Sequence, residues 1–319
     1  MKRFWLGIVL NLGVVAIAGI IAGEAYYCNW QSLRHSVINA QATVAAVENT
    51  KKETPEPPSS KEKGRLNVLI LGTDNEGNEV GRSDSLMLIS ANLDKQQVSV
   101  ISIPRDTRVN LPGVGLTKIT HANAVGEVKG GVHEGTLESE KAVSDLLGVS
   151  INNYAKINFR GFIKAVDAIG GLDVNLPNAV NDNSTDVHLS AGEHHLTGDE
   201  ALRLAQVRYG LPNGDFDRQH NQFYIISALA HQMLRLSNIS KLPGVLSVVH
   251  QDLVDTNLSI PEMATLGFKF RGINKEDIKY FQLPGQGISA PDPLVGAEVY
   301  FYEADRDGVK KIVQEALGG

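Results

Sequence analysis

Two aspartates and several arginines are the residues of this chain whose types and spacing could do chemistry. Asp74 and Asp84 stand ten residues apart, and two carboxylates could share a hard divalent cation, most simply Mg²⁺, which also takes phosphate oxygens as ligands. Guanidinium groups bind phosphate through paired hydrogen bonds. The arginines at predicted ends of helices or strands are Arg82, Arg105, Arg208 and Arg218. Acidic ligands combined with arginines are the set that phosphoryl transfer requires.

Each aspartate also has a purely structural interpretation. Asp74 could close a turn, and Asp84 could cap a strand or pair with Arg82. For the carboxylates alone this is the simpler interpretation. The arginines shift the balance towards a phosphate site, because a turn or a cap does not require them.

Three predicted strands would bring these residues together. The apolar run at 68–71 indicates a strand buried on both faces, and further strands fit 85–91 and 98–103, with a polar turn at 92–97. If the three pair as a meander, the first ends before Asp74, the second begins after Asp84 and the third ends at Arg105. We therefore expect all three side chains at one edge of the sheet.

The rest of the chain alternates between predicted strands and helices, which favours a layered α/β domain with a central mixed β-sheet flanked by helices. Strands are expected at 153–157, 172–176 and 278–286. Helices are expected at 133–148, 158–171, 196–210, 218–236 and 305–319, and 265–273 has no clear assignment.

Two of these helices carry polar residues on their apolar faces. In the helix at 196–210, which opens with a capping box, Arg208 follows Leu204 and Ala205 on one face. In the helix that begins at Arg218, both Arg218 and Gln222 precede the apolar stripe at helical spacing. A helix N-terminus joined by an arginine is typical of an anion site.

The N-terminus predicts a membrane anchor. Residues 4–22 are apolar apart from Asn11 and would span roughly 29 Å as a helix. Lys2 and Arg3 precede the span, so the tip stays in the cytoplasm and the domain lies outside; a cleaved signal peptide is the alternative. The expected organisation is a cytoplasmic tip and transmembrane helix at 1–25, a stalk and Pro-rich linker at 26–65, and an extracytoplasmic domain at 66–319.

Composition excludes some classes of protein. The formal charge is −6, and no run of lysine or arginine provides the positive footprint that nucleic-acid binding needs. Cys28 is the sole cysteine, so the chain can form no internal disulfide. The cysteine content leaves the compartment open.

Six stretches of the chain resemble the LytR-CpsA-Psr family of membrane-anchored cell-wall glycopolymer ligases. They are "LILGTD" (69–74), "GRSDSLMLI" (81–89), "SIPRDTRVNLPGVGLTKI" (102–119), "NFRGFIKAVDAIGGLDV" (158–174), "LSAGEHHLTGDEALRLAQVRYG" (189–210) and "GDFDRQHNQ" (214–222). They follow the family's order over most of residues 67–236. The anchor and the outward-facing domain agree with the same family.

The resemblance implies a fold and a reaction. An α/β domain would enclose an apolar pocket for a polyprenyl chain, and the enzyme would transfer a glycopolymer such as teichoic acid or capsule from a polyprenyl-pyrophosphate carrier to peptidoglycan as a phosphodiester. On this pattern Asp74 and Asp84 bind Mg²⁺, and Arg105 acts with them as a catalytic residue. The implied substrate contacts are Arg82, Arg208, Arg218 and Gln222.

Three positions depart from the family's pattern. Glu76, Gln206 and Asn221 stand where the family often has arginines. Fewer cations would then face the pyrophosphate, which raises the alternative of a non-catalytic module that binds a polyprenyl phosphate or a glycopolymer and regulates envelope assembly.

Other candidates have two interpretations each. Asp106 could be a general base, although an aspartate beside Arg105 more often orients its neighbour. Lys118 and His121 could contact substrate or nothing, and Asp167 is expected to be structural. A zinc site is the minor alternative for the histidines of one predicted loop, His188, His194 and His195.

Overall fold

The computed structural model describes residues 64–74, 80–209, 211, 214–233, 253–259, 262, 266, 269, 270, 273 and 277–318. The predicted membrane span, the stalk, the linker as far as residue 63 and Glu76 lie outside these residues, as do most of 265–273 and the predicted helix end at 234–236. Among the described residues, no helix has the length and apolar character needed to cross a bilayer.

The described part contains fourteen named strands and six long helices. The strands are β1 (Arg65–Thr73), β2 (Ser83–Asn92), β3 (Gln97–Ile103), β4 (Arg108–Leu111), β5 (Gly115–Lys118), β6 (Asn153–Asn158), β7 (Leu172–Leu176), β8 (Val180–Asp182), β9 (Val187–Leu189), β10 (Gly192–Leu196), β11 (Leu253–Thr256), β12 (Ile278–Gln282), β13 (Gly285–Asp292) and β14 (Ala297–Ala304). The helices are α1 (His121–Gly130), α2 (Val132–Leu147), α3 (Phe159–Ala168), α4 (Gly198–Gln206), α5 (Asp215–Met233) and α6 (Arg306–Leu317).

A six-stranded mixed sheet organises the domain, in the order β11-β6-β1-β2-β3-β12. β1, β2 and β3 are successive antiparallel neighbours, whereas β6 runs parallel to β1 and β12 runs parallel to β3. The predicted meander is therefore confirmed, and so is the central mixed sheet of an α/β domain.

The sheet is covered on both faces, as the continuous apolar run in β1 predicted. Val68 and Ile70 point into a core built with α3, α4 and α5. Leu69 and Leu71 point into a second core, built with α1, α2 and α6. A central strand buried on both sides needs apolar residues at successive positions, because neighbouring side chains point to opposite faces.

α4 is shorter than predicted, and this corrects the placement of Arg208. The helix ends at Gln206 instead of continuing to residue 210. The carboxylate of Asp182 accepts hydrogen bonds from the backbone N–H groups of Arg208 (3.1 Å) and Tyr209 (3.0 Å). These bonds replace helical ones, so Arg208 does not continue the apolar face of α4.

Two further boundaries differ from the prediction. The strand expected at 278–286 divides into β12 and β13 around Pro284, which lacks a backbone N–H for a ladder. β13 then forms a hairpin with β14 that the sequence did not reveal. α5 begins at Asp215, three residues earlier than expected, whereas α2, α3 and α6 lie close to their predicted bounds.

Candidate functional site

Asp74 and Arg82 join the end of β1 to the start of β2. The backbone N–H of Asp74 donates to the Arg82 carbonyl over 3.2 Å. In return, the N–H of Arg82 donates to Asp74 Oδ1 over 2.6 Å, and the guanidinium Nη2 lies 3.5 Å from Oδ2. The Asp74 side chain is only 2% exposed. Asp74 thus closes the loop, as the structural interpretation required, and it does so at the sheet edge where the site was predicted.

Asp84 and Arg105 form a second buried pair at the same edge. Arg105 Nη1 lies 3.1 Å from Asp84 Oδ1. The Thr120 hydroxyl donates to that oxygen over 3.3 Å, and the Thr120 N–H donates to the Arg105 carbonyl over 3.1 Å. Asp84 Oδ2 is buried and has no hydrogen-bond partner among the described residues. An unsatisfied carboxylate oxygen of this kind is costly unless a ligand completes it.

The two carboxylates interact strongly. Burial and, as the second cause, the charge of Asp84 together raise the pKa of Asp74 to about 7, against the opposing effect of Arg82. A divalent cation would relieve both the repulsion and the unsatisfied oxygen of Asp84, so these residues fit Mg²⁺ with phosphate and water as further ligands. Within the described residues, no group of three or more His, Cys, Asp or Glu side chains could hold a metal by itself.

Asp106 holds two cations in place. Its Oδ1 lies 2.6 Å from Lys118 Nζ and its Oδ2 lies 3.9 Å from Arg105 Nε. Burial alone would raise the pKa of Asp106, but the charges of Lys118 and Arg105 outweigh it and hold the pKa below the usual aspartate value. A low pKa disfavours proton acceptance near neutral pH, so the geometry favours an orienting role for Asp106.

The first turns of α5 lie over the same edge. The Ser102 hydroxyl donates to Gln219 Oε1 over 2.8 Å. Arg218 is 2% exposed, and its Nη2 lies 2.5 Å from Asp215 Oδ1. The backbone N–H of Arg218 donates to the Gly214 carbonyl, so this N–H is not available to an anion. The inward placement of Arg218 is confirmed, and because α5 begins at Asp215, the N–H of Arg218 itself is used inside the helix.

The remaining predicted contacts are less closely gathered. Gln222 is 1% exposed and donates to the Ala205 carbonyl over 3.3 Å. The charge of Arg208 contributes to the low pKa of Asp106, so Arg208 lies within electrostatic range of that carboxylate. The structure therefore brings Asp74 into contact with Arg82 and Asp84 into contact with Arg105.

The other candidate residues make contacts within the fold. Asp167 Oδ1 accepts the Gly198 N–H over 2.7 Å at the start of α4, which confirms its structural role. His121 is buried 2.8 Å from the Thr117 hydroxyl, and burial lowers its pKa to about 4 against the charge of Asp292. His195 Nδ1 lies 2.6 Å from Asp173 Oδ1 at an exposed position on β10.

Sequence reasoning missed three buried polar residues that contact one another: Asn123, Glu127 and Lys156. Lys156 is fully buried in β6. One signal was present, because a lysine inside the otherwise apolar part of a predicted strand requires a buried partner.

Comparison with known proteins assigns the chain to a family. Residues 34–316 match the model of the LytR_cpsA_psr family. The chain belongs to the LytR-CpsA-Psr family. A Bacillus cereus relative named polyisoprenyl-teichoic acid–peptidoglycan teichoic acid transferase TagU is 36% identical over 294 residues, which cover 91% of this chain and 90% of that protein.

Solved structures carry the same fold as this LytR-CpsA-Psr protein. The crystal structure of B. subtilis TagV is 30% identical, with a TM-score of 0.65 over 81% of this chain and 98% of that one. A structure described as TagT bound to LI-WTA is 26% identical, with a TM-score of 0.62 over 86% of this chain and 96% of that one. The layered α/β fold is thus shared with relatives over nearly their whole lengths.

Proposed function

We propose that this protein transfers a glycopolymer from a polyprenyl-pyrophosphate carrier to a peptidoglycan hydroxyl and so forms a phosphodiester. Family membership and the name of the B. cereus relative support the reaction class. The observation that carries the proposal is the buried pair of Asp84 and Arg105, in which one oxygen of Asp84 has no hydrogen-bond partner among the described residues. The charge of Asp84 also repels the nearby carboxylate of Asp74. Such an edge favours a ligand that is anionic and metal-bound.

The side chains divide the work between metal and phosphate. Asp74 and Asp84 would hold Mg²⁺, which when bound neutralises part of the pyrophosphate charge. Arg82 and Arg105 would clamp the phosphates through their guanidinium groups. The remaining contacts with the head group are assigned to Arg208, Arg218 and Gln222. Asp106 would hold the side chains of Lys118 and Arg105 in the positions from which they face the pyrophosphate.

The proposed reaction is a single displacement at phosphorus. The acceptor hydroxyl oxygen forms a bond to the glycan-linked phosphorus, and the bond from that phosphorus to the bridging oxygen breaks. Polyprenyl phosphate leaves with the bridging oxygen, and the hydroxyl proton passes to water. Positioning and charge neutralisation lower the barrier of such a transfer more than covalent chemistry by the protein does.

We further propose that the domain works outside the cell on a membrane anchor. The apolar span at 4–22, preceded by Lys2 and Arg3, supports this location. It would keep the domain next to the membrane that holds the polyprenyl carrier and close to the peptidoglycan acceptor.

The test is a transfer assay with the full chain in vesicles that contain a polyprenyl-pyrophosphate-linked glycan, with peptidoglycan and Mg²⁺ added. We expect release of polyprenyl phosphate, and we expect Arg105→Ala to lose both release and carrier binding. The matched control is Lys141→Met, which removes a surface ion pair with Asp145 on α2. Carrier binding without release would instead support the binding-module alternative, and neither binding nor release would contradict the proposal.

A further inference from the structure

Lys156 is a fully buried cation in the middle of β6. Its Nζ lies 2.5 Å from Glu127 Oε1 on α1, and it also donates to the Val132 carbonyl at the start of α2 over 3.2 Å. The Glu127 side chain is only 4% exposed. Lys156 is therefore the point at which a sheet strand and two helices are joined by a buried ion pair.

The second oxygen of Glu127 binds the backbone of Gly81. Glu127 Oε2 accepts the Gly81 N–H over 2.8 Å. On the same helix, Asn123 Nδ2 donates to the Gly81 carbonyl over 2.6 Å and to Glu127 Oε1 over 3.0 Å. Both backbone polar groups of Gly81 are thus held by buried side chains of α1.

Close packing of α2 supports this arrangement. A Cβ at Gly135 would lie 2.6 Å from Glu127 Cγ and 2.8 Å from Asn123 Oδ1. Only a residue without a side chain fits at that distance. Gly135 therefore allows α2 to press directly against Asn123 and Glu127.

Gly81 directly precedes the residues of the candidate site. Arg82 is held through its N–H by Asp74, the Ser83 N–H donates to the Thr120 carbonyl, and Asp84 accepts from the Thr120 hydroxyl. Gly81 is the first link of this series. The Gly81 carbonyl held by Asn123 and the Arg82 N–H that donates to Asp74 belong to one planar peptide unit, so a shift of Gly81 would also move the Arg82 N–H.

Stability alone does not account for a buried ion pair of this kind. Replacing such a pair with apolar residues of similar size is often neutral or stabilising, since desolvation offsets the Coulomb attraction. The feature that an apolar pair cannot reproduce is the hydrogen bond from Gly81 to Glu127.

We propose that Asn123, Glu127 and Lys156 form a clamp that positions Gly81, so that Arg82 and Asp84 keep the geometry needed to bind pyrophosphate. This inference rests on the proposed function for its catalytic consequence. The three clamp residues are positioning residues, because they act through the backbone and none is required to touch the substrate.

The decisive test compares two uncharged double variants. In Lys156→Met/Glu127→Gln the amide oxygen still accepts the Gly81 N–H, whereas in Lys156→Met/Glu127→Met nothing does. We expect similar melting temperatures for both. The transfer rate should stay within about threefold of the parent rate for the Gln variant and fall about 100-fold for the Met variant, because loss of positioning costs that much at a reacting centre.

Amide hydrogen exchange at residues 81–84 provides a readout that does not depend on transfer. The Met double variant should exchange these amides about tenfold faster or more, while the Gln double variant and Lys129→Met should not. Lys129 is the control because its ion pair with Glu138 also links α1 to α2 but does not contact Gly81.

Each outcome decides between alternatives. Equal transfer rates in the two double variants, whether high or low, would overturn the clamp. If the Met double variant does not fold, Asn123→Leu takes its place, because it keeps the ion pair but releases the Gly81 carbonyl; unchanged transfer and exchange in that variant would overturn the clamp. A parent protein without transfer would contradict the proposed function, and the exchange measurement would still test the clamp.

Discussion

Two pairs, one of an aspartate with an arginine and one of an aspartate with a histidine, lie near the two ends of α5, and they differ most in burial. Asp84 and Arg105 are 3.1 Å apart, with side chains 1% and 12% exposed. Asp173 and His195 are closer, at 2.6 Å, but 49% and 61% exposed. An exposed pair is screened by water and contributes little, whereas a buried charge acts strongly on its neighbours. Short distance alone therefore does not identify a functional pair.

Cleft size alone would draw attention to a different region from the one proposed above. A cavity of about 840 Å³ lies beside Asp173 and His195, lined in part by Phe223 and Tyr224 of α5. At the sheet edge that holds Asp84, one oxygen of this carboxylate has no hydrogen-bond partner among the described residues, and its charge repels that of Asp74. A buried charge without compensation favours an ionic ligand, and the volume of a cleft does not reveal it.

The largest effect is expected at Asp84. Asp84→Asn keeps the shape but removes the charge that faces Arg105 and the proposed Mg²⁺ site, so the transfer rate should fall by about 10³-fold. Asp173→Asn is the matched change in the exposed pair and should leave the rate unchanged. Parallel transfer assays on the two variants check this, and equal losses would remove the distinction between the regions.

The next effect concerns stability and pH at Asp74, measured by thermal unfolding with a chelator present. A folded pKa raised to about 7 means that the folded protein binds this proton more tightly than the unfolded chain. Stability is thus greatest below the unfolded pKa near 4 and is lost as the pH rises through about 7. Asp74→Asn should remove this slope and raise the free energy of unfolding at pH 8 by about 4 kcal/mol at most, at about 1.4 kcal/mol for each unit of pKa shift.

The control for that experiment is to repeat the thermal unfolding with Mg²⁺ added instead of the chelator. Mg²⁺ should raise the melting temperature of the parent protein at pH 8 but leave that of Asp74→Asn unchanged, because the variant lacks one ligand. A pH slope that persists in the variant would show that another group is responsible.

A moderate effect is expected from Lys118→Met. Without the lysine charge the pKa of Asp106 rises, so Asp106 holds Arg105 less firmly as the pH falls. We expect about a tenfold lower transfer rate near neutral pH and an acidic limb of the pH–rate profile displaced to higher pH. A rate change without displacement of that limb would contradict the role assigned to Asp106.

The smallest effect is expected from His195→Ala. The exposed pair with Asp173 should contribute less than about 1 kcal/mol to the free energy of unfolding, and nothing to transfer. Urea unfolding and the transfer assay measure both. A large loss of stability or of transfer rate would show that the exposed pair beside the cleft matters, and would contradict the distinction drawn between the exposed and the buried pair.

Part of the site could be predicted because it depends on local patterns. The apolar run of β1 and the polar turn between β2 and β3 determined the meander, and the meander placed Asp74, Asp84 and Arg105 at one edge. Arg208 was misplaced because Asp182, 26 residues earlier, captures its backbone N–H. A helical pattern in the sequence cannot predict such a hydrogen bond, because the bond depends on a residue far away along the chain.

The sequence by itself determined which charged residues follow the ends of the central strands, since strand length and alternation are set by neighbours along the chain. Only the tertiary structure decided which charges are satisfied. Lys156 meets Glu127 from 29 residues away, and Asp84 retains a buried oxygen without a partner among the described residues. Burial and pairing depend on long-range packing, and these two quantities separate a site from a surface ion pair.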